Sequence, residues 1–172
     1  MKYYIFTLLA LFLSAANIEA QEHNEHAHED HLTTLVNEYL AFKDALVADN
    51  FEEAHKHISN FAEEVKSSKE MNEHTEHQEK HEAHHGKMLA AVEQAVAAKN
   101  IEELRTSLEA VTTELVTAVE NQGYDKSALF VQFCPMANGG KGAKWMSSEE
   151  EIQNPYYGKK MLKCGSLVKT IK

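Results

Sequence analysis

The sequence lacks the short motifs that mark two large classes of enzyme. It contains no Gly-x-Ser-x-Gly, which would place a nucleophilic serine on a tight turn, and no glycine-rich phosphate loop. The glycine cluster Gly139-Gly-Lys-Gly142 has no Walker pattern around it. We therefore predict that the protein is not an enzyme.

Long apolar runs are also missing, apart from one at the N-terminus. Lys2 is followed there by an apolar stretch from Ile5 to Leu13, which is too short to cross a bilayer, and Ala20 is a small residue of the kind that signal peptidase favours. This pattern predicts a cleaved signal peptide at residues 1–20. The mature protein would then be periplasmic or secreted, without membrane insertion, in an oxidising compartment where cysteines can pair.

Positive charge is scarce in most of the chain. Residues 21–123 carry 8 basic and 22 acidic side chains, whereas residues 124–172 carry 8 basic and 4 acidic ones. An acidic body repels phosphate, which argues against a nucleic-acid partner, and it attracts cations.

Proline and glycine are rare before residue 123, and apolar residues recur there at helical spacing. Amphipathic stretches cover residues 35–47, 51–65 and 101–119. Asn100, with a glutamate three residues on, predicts the start of the last helix, and Gly123 predicts its end.

Packing these stretches together predicts an all-α fold. We expect an up-and-down bundle of three or four helices over residues 33–123, after a His-rich flexible segment at 21–32. Residues 124–172 are expected to form an irregular cap rich in cysteine, methionine and aromatic residues, in which 129–133 is a short strand or a buried extended segment. Bundle and cap would make one domain, residues 33–172.

A stripe of histidines precedes the core-facing part of the third helical stretch. Its members are spaced by three, four and four residues, so on a continuous helix neighbouring imidazoles lie about 5–6 Å apart at their Cβ atoms. Two or three of them could share one ion, and imidazole suits copper, zinc and nickel. The alternative is a solvated polar helix or a disordered linker. The candidate ligands are His74, His77, His81 and His85.

The cap contains both cysteines and two nearby methionines, arranged as Cys-x-Met and Met-x-x-Cys. Thiolate and thioether sulfurs are soft donors, which favour Cu(I). Two cysteines in an exported chain also pair readily, and a disulfide here would stabilise the fold by about 3–4 kcal/mol in the chain-entropy model. Both interpretations stay open for these residues: Cys134, Met136, Met161 and Cys164.

The cap also carries a long string of specific residues. It runs from Gln132-Phe-Cys-Pro-Met-Ala-Asn138 through Trp145 to Glu151-Ile-Gln-Asn-Pro-Tyr-Tyr-Gly-Lys-Lys-Met-Leu-Lys-Cys-Gly165, with looser likeness at 39–49 and 98–105. This pattern closely resembles the signature of the family called domain of unknown function 3347 (DUF3347). The resemblance implies an exported helical domain in a copper or related heavy-metal context, of the kind also appended to periplasmic adaptor subunits of heavy-metal efflux pumps.

The chain departs from that family at two places. Members often carry histidines in the last two helices, at positions that correspond here to Gln94 and Ser107. A site that mixes those histidines with the cap sulfurs is therefore incomplete in this chain. The stripe from His74 to His85 could compensate only with a different geometry.

Two functions follow from these observations. The first is a heavy-metal-binding protein, for copper and above all Cu(I), with zinc as a lesser alternative at the histidine stripe, which buffers the ion or passes it to an efflux adaptor. The second is a non-catalytic structural or interaction module, closed by a disulfide between Cys134 and Cys164, in which the histidines are incidental.

Overall fold

The described part of the chain is mostly helical. The computed structural model describes residues 31–71 and 78–172, except for the side chains of residues 68–84. The predicted signal peptide and most of the His-rich segment therefore lie outside the described residues. Leu32 to Lys172 form one compact unit. No helix in the described ranges is long and apolar enough to cross a membrane. The long helices are α1 (31–47), α2 (Phe51–Met71), α3 (Gln78–Val96) and α4 (Ile101–Gln122).

The apolar seams predicted from spacing face a common core. The seam of α2 is buried from Ala54 to Val65, and that of α4 from Leu104 to Val119. On α3, Met88 and Val92 lie in the same cluster. Burying one such side chain contributes about 1.5–3 kcal/mol, so these seams are the main force that holds the helices together.

The start and the end of α4 lie where the sequence predicts them. The Asn100 side chain accepts a hydrogen bond from the backbone N–H of Glu103 at 3.0 Å, and the Glu103 carboxylate accepts one from the N–H of Lys99 at 2.8 Å. Gly123 follows the helix with a φ of 83°, and its N–H donates to the Val119 carbonyl. The predicted cap is confirmed, although the glutamate bonds one residue further upstream than in the usual capping box.

A three-stranded antiparallel sheet follows α4. Its strands are β1 (Leu129–Cys134), β2 (Ala143–Ser147) and β3 (Ser166–Ile171), and β1 lies in the middle. A tight turn at Ala137–Gly140, in which Asn138 and Gly139 have left-handed φ values of 51° and 68°, joins β1 to β2. A 3-10 turn (Gly158–Lys160) lies in the long connection to β3.

This sheet corrects the all-α prediction, which holds for the body and not for the cap. The prediction of a strand at residues 129–133 is confirmed. The strands β2 and β3 were not predicted from the local sequence. Each has only five or six residues, and β3 is exposed over most of its length, so it has no buried face to impose an alternating pattern. Strand formation in such segments depends on the neighbouring strand more than on local propensity.

A buried polar contact ties the sheet to the helices. The Tyr39 hydroxyl of α1 lies 2.6 Å from Thr112 Oγ1 of α4 and accepts a hydrogen bond from the N–H of Met146 in β2 at 3.0 Å. Because Thr112 Oγ1 already donates to the Leu108 carbonyl, Tyr39 must be the donor to Thr112. Burial raises the pKa of Tyr39 to about 12.

Candidate metal centre

The two cysteines meet at one end of the sheet. Cys134 is the last residue of β1, and Cys164 stands two residues before Ser166, which pairs with Phe133. Their Sγ atoms lie 3.5 Å apart, and both residues are free cysteines. Cys134 is fully buried, whereas Cys164 is partly exposed. The structure thus brings together two of the four predicted sulfur ligands.

The neighbouring thiol makes Cys164 a weaker acid. The hydrogen bond with Cys134 raises the pKa of the Cys164 thiol, and burial acts in the same direction. Cys164 is therefore protonated at neutral pH, and an incoming metal ion has to displace that proton.

The two predicted methionines lie between the two cysteines along the chain. Met136 lies just after β1 with 49% of its surface exposed, and its carbonyl accepts a hydrogen bond from the Tyr157 hydroxyl at 2.6 Å. Met161 is partly exposed and begins the turn that leads to Cys164, whose N–H donates to the Met161 carbonyl at 3.0 Å. Both methionines therefore belong to the segments that leave β1 and lead to β3, each within three residues of one cysteine.

A buried asparagine holds the backbone of Cys164. The Asn154 side chain is fully buried, and its amide donates to the Cys164 carbonyl at 2.6 Å. Its backbone N–H donates to the Leu162 carbonyl at 2.8 Å, and its Oδ1 accepts from the N–H of Tyr156. No metal chemistry was predicted for Asn154. Its only sequence signal was its place in the string from Glu151 to Gly165, and that signal predicted no contact with Cys164.

A charged contact fixes the same loop to the helices. The Arg105 guanidinium of α4 donates to the carbonyls of Pro155 and Leu46 at 2.9 and 3.0 Å and to Asp49 Oδ1 at 2.6 Å. Asp49 Oδ2 accepts from the N–H of Lys159 at 3.3 Å. The hydrogen bond from Arg105 is the main reason that the pKa of Asp49 lies below its usual range.

The structure describes the histidine stripe only at its C-terminal end, at His85. His74 and His77 lie outside the described residues, and so does the side chain of His81, which belongs to α3. His85 is partly buried, and its Nε2 lies 2.6 Å from the Val65 carbonyl of α2. Because a carbonyl only accepts, this Nε2 carries a proton, and only Nδ1 could bind a metal while the contact persists.

The same stretch contains a zinc-binding motif that includes two of the predicted ligands. Residues 81–85 have the order His-Glu-x-x-His, which on a helix can hold zinc with the glutamate as a base. In this fold the last histidine of the string uses Nε2 to join α3 to α2.

Other candidate ligands do not gather around one point in the described part of the chain. Among the described side chains, no three from histidine, cysteine, aspartate and glutamate are grouped so that they could hold a metal ion. Of the two positions where the family often has histidine, Gln94 is exposed on α3 and Ser107 is buried in α4, where its hydroxyl donates to the Leu104 carbonyl.

Comparison with known proteins gives one match. Residues 35–127 match the model of a family described as "Protein of unknown function (DUF3347)". This span covers most of α1 and all of α2 to α4 and ends before β1, so the match lies in the helical body and does not include the cap residues on which the resemblance was mainly predicted. No curated protein and no solved structure matches the chain.

Proposed function

The chain belongs to the DUF3347 family of proteins of unknown function, and we propose that it binds Cu(I) after export. The ion is held between the thiolates of Cys134 and Cys164, with Met136 and Met161 as thioether ligands. The protein buffers this ion or passes it to an adaptor subunit of a heavy-metal efflux pump.

The separation of the two cysteine sulfurs carries the proposal. Two thiolates at about 2.3 Å from one tetrahedral ion lie about 3.8 Å apart, and the Sγ atoms of Cys134 and Cys164 lie 3.5 Å apart as free thiols. A metal ion can therefore enter with a side-chain adjustment of a few tenths of an ångström. The antiparallel pairing of β1 with β3 holds the two sulfurs close even though they are 30 residues apart in the chain.

The chemistry of the donors favours copper. Thiolates bind several soft or borderline ions, but thioethers add affinity mainly for Cu(I). The histidines from His74 to His85 would contribute nitrogen ligands, which suit Zn(II) and Cu(II) better than a sulfur site does. Export is consistent with this role. The intact mass of the protein recovered from the cell envelope should correspond to a chain that begins at Gln21.

Anaerobic titration of the reduced chain without residues 1–20 tests the proposal. A coloured Cu(I) chelator competes for the ion and reports the affinity. The variant Cys134→Ser/Cys164→Ser should bind Cu(I) more than about a hundredfold more weakly, a larger loss than the change of an outer-shell residue causes. Lys163→Ser alters a neighbouring exposed residue without removing a sulfur and should bind like the native protein.

Variants that remove one type of ligand at a time show, through their Cu(I) and Zn(II) affinities, which metal that ligand binds. Met136→Leu and Met161→Leu should each weaken Cu(I) binding and leave Zn(II) binding nearly unchanged. Replacing His74, His77, His81 and His85 with alanine should affect Zn(II) more than Cu(I). Equal Cu(I) affinity of the native and double-serine proteins would overturn the proposal and leave only the histidines as ligands.

The complete burial of Cys134 favours a second candidate function. A sulfur with no exposed surface suits a structural disulfide better than a site that must receive an ion from solution. In that case the protein is a structural or interaction module closed by a Cys134–Cys164 disulfide. If the protein isolated from the envelope contains this disulfide and its reduced form does not bind Cu(I) more tightly than the double-serine variant, the second function is correct.

A further inference from the structure

The two thiols differ sharply in access to solvent. Cys134 has no exposed surface and belongs to the hydrophobic core, whereas Cys164 is partly exposed in the turn that follows Met161. Of the two cysteines, Cys164 is therefore the one that a reagent in solution meets first. It can reach Cys134 only when the cap opens locally.

The backbone around Cys164 is held on both sides. Asn154 binds its carbonyl at 2.6 Å, and the pairing of Ser166 with Phe133 anchors the following strand. A group attached to the Cys164 sulfur can turn toward solvent, but the residue itself stays beside Cys134. The buried sulfur is thus placed to attack whatever becomes bound to its neighbour.

We propose that Cys164 undergoes thiol–disulfide exchange with low-molecular-mass disulfides and that Cys134 resolves the mixed disulfide. Cys164 gives its proton to solvent, and its thiolate attacks one sulfur of the incoming disulfide, whose other sulfur leaves and takes up a proton. Cys134 then loses its proton and attacks the Cys164 sulfur, which releases the second small thiol. Two protein thiols are oxidised to a disulfide, and the external disulfide is reduced to two thiols.

This reaction does not depend on metal binding, but it determines whether the pair can act as a ligand. The oxidised pair has no thiolate to offer a metal ion, so only the reduced form could hold Cu(I) through both cysteines. The ratio of small thiols to disulfides in the compartment would then set how much of the protein is competent to bind.

Oxidised glutathione, applied to the folded reduced protein and followed by intact mass, tests the proposal. The native protein should lose two hydrogens and keep no glutathione. Cys134→Ser should accumulate a stable glutathione adduct on Cys164. Cys164→Ser should react at least about tenfold more slowly, because its remaining thiol is exposed only by local opening, and should form the adduct readily once unfolded in urea.

Two results would overturn the proposal: an adduct on Cys164→Ser that forms as fast as on Cys134→Ser, or a native protein that keeps its glutathione. Trp145 is the single tryptophan and is fully buried, so its blue-shifted emission confirms that each variant is folded. Where serine at position 134 prevents folding, Cys134→Ala replaces it. Acid quenching of the native reaction also traps the transient adduct, which peptide mapping should find on Cys164.

Discussion

Single residues that link the helices to the sheet should be sensitive to substitution. The Tyr39 hydroxyl is such a point, because it serves α1, α4 and β2 at once and has no access to water. Its removal would leave the N–H of Met146 buried without an acceptor. A buried donor without a partner costs more than the hydrogen bond itself contributes.

Tyr39→Phe should therefore lower the free energy of unfolding by about 1–3 kcal/mol, as measured by urea denaturation at neutral pH. Tyr157→Phe is the matched control, because that hydroxyl is exposed and water can replace it at the Met136 carbonyl.

The stability of the native protein at alkaline pH gives a second readout. The folded pKa of Tyr39, about 12, exceeds the unfolded value of about 10, so its stabilising contribution is complete below about pH 10 and is lost as the pH rises toward 12.

The gap in stability between native protein and Tyr39→Phe should thus narrow between about pH 10 and 12. A gap that stays constant over this range would show that the hydroxyl does not keep its proton as the contacts require. A loss at neutral pH no larger than that of the Tyr157 control would contradict the role of the contact with Met146.

Asp49→Asn should destabilise the protein by about 1 kcal/mol at neutral pH, a modest value because the carboxylate is about one third exposed. Asparagine tolerates the positive φ of 60° at this position, so the change removes the charge and one of the two acceptor oxygens without straining the backbone. Since Arg105 lowers the folded pKa of Asp49, the contribution is present above the unfolded pKa and is lost as the pH falls through the folded one.

The measurement is the difference in urea midpoint between native protein and Asp49→Asn as a function of pH. It should be largest near neutrality and vanish in strong acid. A difference that persists in acid would mean that the amide disturbs the loop for a reason other than the lost charge.

At the scale of elements, the start of α4 depends on one side chain. Asn100→Ala removes the acceptor for the N–H of Glu103 and should cost about 1 kcal/mol in urea denaturation. Asn100→Ser supplies a hydroxyl in the same place and should restore most of this loss. If serine were no better than alanine, the hydrogen bond would not be the source of the stability.

The strands of the cap form by pairing with one another, whereas the start of α4 is set by a side chain within the same segment. β1 is the middle strand and carries buried residues, so its apolar density alone indicated an extended segment. β2 and β3 acquire their structure by pairing with β1 across connections of very different length. Such pairing is not visible in the five or six residues of either strand.

For the whole molecule, the state of the cysteine pair should set the overall stability. A Cys134–Cys164 disulfide closes a loop of about 31 residues, and the chain-entropy model gives about 3–4 kcal/mol for a loop of that length. We therefore expect the oxidised protein to unfold at a clearly higher urea concentration than the reduced protein. Cys134→Ser/Cys164→Ser should show one midpoint under both conditions, and a shift in that variant would point to another oxidisable group.

The sequence by itself determined the helical body and the residue types of the candidate site. Regular spacing placed the seams of α2 and α4, and Asn100 and Gly123 marked the limits of α4, because helix formation is governed by contacts within a few residues. Membership of DUF3347 was likewise predicted from residues alone, although the family match covers the helical body and not the cap. Chemistry that a residue type brings with it, such as soft sulfur for Cu(I), could be predicted without a fold.

Only the tertiary structure decided which of those residues meet. It placed Cys134 and Cys164 in contact, buried one and left the other partly exposed, and set Asn154 against the Cys164 carbonyl. It also showed His85 in contact with the backbone of α2. These facts depend on strand pairing and helix packing between residues far apart in the chain, and such long-range contacts leave no periodic trace in a single sequence.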